Sequence, residues 1–248
     1  MLEQAPQRAR NHLRMTTTAL LAAAAIAGLS GCGIDTVSGP VRHESRTIDR
    51  DTSDTARVDL RMGAGDLHVD GGAAGLMQAD FDYNIPAWKP EVRYRSFAGR
   101  ADLTIEQPGG PGHIGGQSKY AWDLRLNNGI PIDLLVHFGA GQGRLNLGAL
   151  DLRSVEVEMG VGQIAMDLRG MPKRDYDVRI HGGIGEATVY LPSGAGVYAK
   201  AEGGLGEIKV SGLRPEGRHW INDWYASTRP QVRVDVQGGI GQINLIAE

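Results

Sequence analysis

Six times along this 248-residue chain an alternating apolar run enters Gly-x-Gly and leaves it again. The segments are VDLRMGAGDLHV from Val58, LLVHFGAGQGRLNL from Leu134, VEVEMGVGQIAMDL from Val155, VRIHGGIGEATVYL from Val178, VYAKAEGGLGEIKV from Val197 and VRVDVQGGIGQINL from Val232. The glycine pairs are Gly63 and Gly65, Gly139 and Gly141, Gly160 and Gly162, Gly183 and Gly185, Gly204 and Gly206, and Gly239 and Gly241. Successive spacings of 76, 21, 23, 21 and 35 residues make the middle of the chain a near-regular array, the mark of a repeat architecture.

The parity of the apolar positions says what each unit does. Val155, Val157 and Met159 fall on odd numbers, whereas Ile164, Met166 and Leu168, after the glycines, fall on even ones. A strand of period two keeps its parity, so each Gly-x-Gly holds a bulge or corner that resets which residues face inward. The middle residues, Ala64, Ala140, Val161, Ile184, Leu205 and Ile240, are all apolar and are expected to point into the core. The flanking glycines then supply φ angles or close backbone packing that a Cβ would forbid. Stacked in phase, such units give an all-β fold, a β-solenoid-like pile of short strands with repeated corners. The alternative is a β-sandwich, which has no reason to repeat Gly-x-Gly in phase.

The 76-residue gap also alternates, in ADFDYNI from Ala79, EVRYRSF from Glu91, RADLTIEQ from Arg100 and AWDLRLNN from Ala121. These read as strands, degenerate units without the glycine corner. PGGPGHIGGQS, residues 108–118, reads as a mobile surface loop. The closing segment reads as the last corner of the stack, with an uncovered edge at residues 242–246 open to strand addition.

The N-terminus stands apart. Arg8, Arg10 and Arg14 precede an apolar run from Ala19 to Leu29, too short to span a bilayer but suited to an export signal. It ends in Leu29-Ser30-Gly31-Cys32, and Cys32 is the chain's only cysteine. That order resembles a bacterial lipobox, in which cleavage precedes a cysteine whose thiol carries a diacylglyceryl group. The alternative is an ordinary secretory signal followed by a chance cysteine, but a leftover thiol in a secreted protein would be odd. The expected organisation is a lipoprotein signal peptide over residues 1–31, a lipidated tether over 32–50 and one all-β domain over 51–248. Gly33, rather than Asp, after Cys32 favours the outer membrane in a Gram-negative host. Without residues 1–31 the chain carries 23 basic and 28 acidic residues, net −5. Nucleic acid is therefore not an expected partner, since phosphate binding needs a clustered positive excess.

Gly-rich corners invite chemical readings, and these fail on context. A phosphate loop needs a helix after its glycines, but Glu186-Ala187-Thr188-Val189 continues as a strand. A calcium roll, G-G-x-G-x-D, needs an Asp where Ala187, Ile208 and Ile243 stand. Histidines are scattered, with His137 and His181 at equivalent repeat positions on one face, and form no ligand motif. No cofactor, metal or catalytic residue is expected. Asp66, Gln142, Gln163, Glu186, Glu207 and Gln242 follow the corners and are expected to form an outward ladder of acids and amides. One insertion, residues 213–230, breaks the period and holds Trp220, Trp224 and Tyr225. It reads as a cap over an open edge, or as an aromatic contact surface for a glycan or protein partner.

Taken in order, VDLRMGAGDLHVDG, KPEVRY, LTIEQP, the run from WDLRLNN to VEVEMGVG and the final VDVQGGIGQINL resemble the bacterial toast-rack domains of the cell-wall-active antibiotic response group. The resemblance runs from about Val58 to the C-terminus. It implies an all-β envelope domain of a membrane-associated sensor or modulator in envelope stress, not an enzyme. The usual form carries transmembrane helices, whereas this chain has the lipobox. The sequence thus points to a lipid-anchored, non-catalytic binding or scaffold protein of the cell envelope. The alternative is a glycan-binding or glycan-processing β-solenoid using Trp220, Trp224 and Tyr225. The partners expected are a membrane through the anchor and an envelope protein or glycan, with the oligomeric state open.

Overall fold

Period-two alternation builds strands wherever the sequence carries it, in a computed structural model that describes residues 39–109, 118–227 and 229–247. The strands are β1 (Arg42–Ile48), β2 (Thr55–Gly71), β3 (Met77–Tyr83), β4 (Glu91–Phe97), β5 (Arg100–Glu106), β6 (Tyr120–Leu126), β7 (Pro131–Asn146) and β8 (Asp151–Asp167). They continue as β9 (Tyr176–Leu191), β10 (Gly196–Ser211), β11 (Arg214–Glu216), β12 (His219–Ile221) and β13 (Gln231–Ala247). All belong to one 13-stranded sheet. Residues 1–38, with Cys32, and most of the loop expected at 108–118 lie outside the described residues.

The six Gly-x-Gly segments lie in β2, β7, β8, β9, β10 and β13. Each is a single strand of 16 or 17 residues that runs through its corner without interruption. All six are parallel, stacked in the order β2-β7-β8-β9-β13-β10. Their corners are in register, from Gly65 through Gly141, Gly162, Gly185 and Gly241 to Gly206. Each strand thus has a first arm before the corner and a second arm after it. Parity resets as the sequence requires: Val155, Val157 and Met159 are buried on the first arm of β8, and Ile164 and Met166 on the second, with Leu168 just beyond. One apolar cluster gathers both sets.

Two constraints demand glycine at the corners. At Gly185 φ is +144°, a region that side chains disfavour. A methyl group there would also overlap the carbonyl oxygen of Gly162 in the adjacent rung. At Gly139 the backbone is unstrained, and only the second constraint applies, against the carbonyl of Gly63.

Three expectations are corrected. First, the middle residue does not point inward: Val161, Ile184, Ile240 and Leu205 are 52, 50, 51 and 69% exposed. The inward positions beside the β8 bend are Met159 and Ile164, so residues 160–163 travel around its outside and Val161 sits on the convex side. Only Ala64, in the first rung, is buried. Second, the closing strand is not the end of the stack. β13 inserts between β9 and β10, paired along both sides, so residues 242–246 present no edge. The edge belongs to β10. Third, the stretch expected as tether enters the sheet at Arg42, where β1 pairs antiparallel with β3. As an outer strand it is mostly exposed and carries no apolar alternation that would reveal it.

The four strands expected in the gap form as β3, β4, β5 and β6, in two roles. β5 pairs with the first arm of β2 and β6 with its second arm, both parallel, so together they make one divided rung without a glycine corner. β4 and β3 continue the two arms antiparallel. Gln107 bridges the division: its Oε1 accepts from the N–H of Gly63 at 2.8 Å and of Ala64 at 3.2 Å.

Candidate binding surface

Because the corners are in register and their middle residues face out, side chains of adjacent rungs line up on the convex edge. Val161 lies beside Ile184, Ile184 beside Ile240, and Ile240 beside Leu205. Neighbouring rungs sit about 4.8 Å apart, so these four form a continuous apolar ridge. Ala140 extends it toward β2 with a small, partly exposed side chain, and it stops at the buried Ala64. Isolated exposed apolar residues need no explanation, but a contiguous row rimmed by polar groups marks a contact surface.

The ladder of acids and amides runs alongside, in the order Asp66, Gln142, Gln163, Glu186, Gln242, Glu207. Insertion of β13 places Gln242 between Glu186 and Glu207, which sequence order alone made neighbours. Around β13 the ladder is bonded to neighbouring polar side chains: Gln242 donates to Asn244 at 2.7 Å, and Asn244 donates to Glu186 at 2.9 Å and to the Thr188 hydroxyl oxygen at 3.0 Å. His137 and His181 share a face, but Glu158 stands between them in register and bonds His137 at 2.9 Å. Among the described residues no group of three His, Cys, Asp or Glu side chains is placed to hold a metal ion.

Inside the bend, β2, β7 and β8 carry Met62, Phe138 and Met159 just before the first corner glycine. At the same register β9, β13 and β10 carry Gly182, Gly238 and Gly203. The missing side chains leave a crevice of about 60 Å³, lined by Met159, Ile180, Val236, Ile243 and Ile208. Pockets for small molecules run to about 300–1,000 Å³, so this space is a packing defect at the end of the stack, not a ligand site.

The insertion folds as the hairpin of β11 and β12, and β12 pairs with β10 only at Tyr198 and Ala199. It caps the first arm of β10 and leaves the second arm open. Asn222 fastens it: Oδ1 accepts from the N–H of Val197 at 2.9 Å, and Nδ2 donates to the carbonyl of Ala195 at 2.7 Å. The three aromatic residues singled out from the sequence have different surroundings. Trp220 is half-buried against the core, Tyr225 leans on Tyr198 at 5.7 Å between ring centroids, and Trp224 is 56% exposed. His219 stacks on the same Tyr198 at 4.4 Å.

Sequence reasoning missed Gln107 and Asn222, because a single polar residue after a strand carries no signal of the backbone groups it meets. It found the ridge residues but assigned them to the wrong side.

The sequence profile of the N-terminal domain of toast_rack, DUF2154, matches residues 37–190. A crystal structure of a candidate cell adhesion protein from Clostridium sporogenes ATCC 15579 is similar at a TM-score of 0.80 and 31% identity. The alignment covers 84% of this chain and all of that one. A candidate adhesin from Bacteroides fragilis NCTC 9343 aligns over 84% of this chain and 98% of its own, at 10% identity and a TM-score of 0.30. Comparison with curated proteins returns no match.

Proposed function

The chain belongs to the toast-rack family, and from that premise we propose that it is a lipid-anchored binding and scaffold protein of the bacterial cell envelope, without catalytic activity. The observation that carries this reading is the apolar ridge of Val161, Ile184, Ile240 and Leu205. Full burial of an aliphatic side chain is worth about 1.5–3 kcal/mol, so covering these four from half exposure offers roughly 3–6 kcal/mol to a partner. The in-register pairing of the corners keeps these side chains in one row, as a scaffold for contact requires. The cell-adhesion description of the Clostridium sporogenes relative, at 31% identity over its whole length, supports a surface role. A role in envelope stress, implied by the family resemblance, is part of the same proposal.

The anchor follows from Cys32 after Leu29-Ser30-Gly31. Two acyl chains at about 0.8 kcal/mol per buried CH₂ hold a protein at a membrane without a spanning helix. Among the described residues no helix is long and apolar enough to cross one. Cell fractionation tests this half of the proposal: Cys32→Ser should move the protein from the membrane to the soluble fraction, and retention in the membrane overturns the anchor.

A second reading, glycan binding near the hairpin, draws on the exposure of Trp224, next in sequence to Tyr225, which with His219 packs on Tyr198. Half-exposed aromatic rings are a common stacking surface.

A further inference from the structure

Four sheet edges are open among the described residues, at β1, β4, the three-residue β11 with Pro215 at its centre and the second arm of β10, and the last differs from the others. β1 and β4 are seven-residue strands rich in charge, with Arg42, His43, Glu44 and Arg46 on one and Glu91, Arg93 and Arg95 on the other. Short charged edges resist the addition of another strand. β10 is unlike them. Its inner side pairs with β13 to Ser211, while its outer side meets β12 only at Tyr198 and Ala199. The run from Glu202 to Ser211 thus faces solvent, with Leu205 and Ile208 exposed on it.

The order of residues on this edge is self-complementary. Glu207 and Lys209 flank Ile208 on the outward face and already pair with each other at 3.1 Å. We propose that the second arm of β10 is a docking site for a second copy of this chain, joined by antiparallel pairing about a twofold axis at Ile208. In that register Glu207 lies opposite Lys209 of the second copy, and Lys209 opposite its Glu207. Directly opposed unlike charges stabilise an antiparallel pair and like charges oppose it. An axis at Glu207 or at Lys209 would set like charges against each other, so only Ile208 satisfies both.

Ile208 would then meet its own counterpart, taking from water a side chain that lines the end crevice. The interface is isologous and closes at two copies. Parallel continuation of the stack would need a free β2 edge on the second copy, and that edge is covered by β5 and β6. Val161, Ile184 and Ile240 lie on inner rungs, away from this contact.

The test uses the full chain carrying Cys32→Ser, which removes its only native thiol. Sedimentation equilibrium should show a dimer at about 100 μM, a concentration that detects even weak association. Lys209→Glu and Glu207→Lys, both at exposed positions, should each weaken it by about tenfold or more, and the double swap Glu207→Lys/Lys209→Glu should restore it. Ile208→Cys should form a covalent dimer on mild oxidation, whereas Phe97→Cys, exposed on β4, should not. A monomeric parent, a double swap that fails to restore association, or equal crosslinking at the two cysteine positions would overturn the proposal.

Discussion

The side-chain oxygen of Gln107 takes the backbone N–H of Gly63 at 2.8 Å and that of Ala64 at 3.2 Å. Every other corner has at least one Gly-x-Gly neighbour toward β2, but the first corner faces the divided rung, where β5 stops at Glu106 and β6 starts at Tyr120. Gln107→Leu strands two backbone donors, which should cost about 1–3 kcal/mol in a urea titration. Gln107→Glu keeps an acceptor and should lose less. Parent-like stability in the Leu variant would mean that the corner does not depend on this bond.

Corner glycines should not tolerate even a methyl group. Gly185→Ala combines φ of +144° with overlap onto the carbonyl of Gly162, placing it among the severe cases, above about 4 kcal/mol. Gly217→Ala is the control, because φ there is +62° and nothing lies within 4 Å of the added Cβ. It should cost only about 1–2 kcal/mol, the strain of a left-handed residue. Similar denaturation midpoints for the two variants would contradict the stacked-corner geometry.

Acid should weaken the fold through Asp51. The Tyr94 hydroxyl donates to its carboxylate at 2.5 Å and the Ser53 N–H at 2.8 Å, holding the group well below its ordinary value of 3.8. Because folding favours the ionised form, the stabilisation is present above pH 3.8 and is lost as pH falls beneath it. Asp51→Asn should therefore be less stable than the parent at neutral pH, with the gap narrowing in acid. A gap that is constant from pH 7 to pH 2, followed by thermal melting, would exclude this linkage.

The hairpin separates structural from binding roles. Asn222→Ala removes both fastenings to Val197 and Ala195 and should cost about 1–3 kcal/mol, with faster amide exchange in β12. Trp224→Ala should change stability by no more than about 0.5 kcal/mol, as surface substitutions do. On the glycan reading, Trp220→Ala/Trp224→Ala abolishes binding to peptidoglycan or polysaccharide while the fold survives. Undiminished binding would rule that surface out.

Much of this architecture was legible in the sequence because backbone geometry leaves few choices. Parity across each Gly-x-Gly demanded a bend, and the bend demanded residues without a Cβ. The direction of the middle residue was not legible, since Val161, Ile184 and Ile240 look like core residues by composition alone. Only the positions of Met159 and Ile164 on the inside show that the space is already taken. Strand order was hidden for a different reason: a parallel strand can return anywhere along a stack of equivalent rungs. Nothing in VRVDVQGGIGQINL says that it slips between β9 and β10.

The central claim is that the outward ridge makes this chain a binder, and the most direct measurement is binding of the purified full chain carrying Cys32→Ser, which removes the proposed anchor, to isolated cell envelopes. The comparison is between the parent and Ile184→Asp/Ile240→Asp, with thermal melting as the check on folding. Both substituted side chains are half-exposed, so the melting temperature should stay close to that of the parent. The account predicts a loss of affinity of about tenfold or more, the equivalent of roughly 1.4 kcal/mol or above. Unchanged affinity in a folded double variant would contradict it.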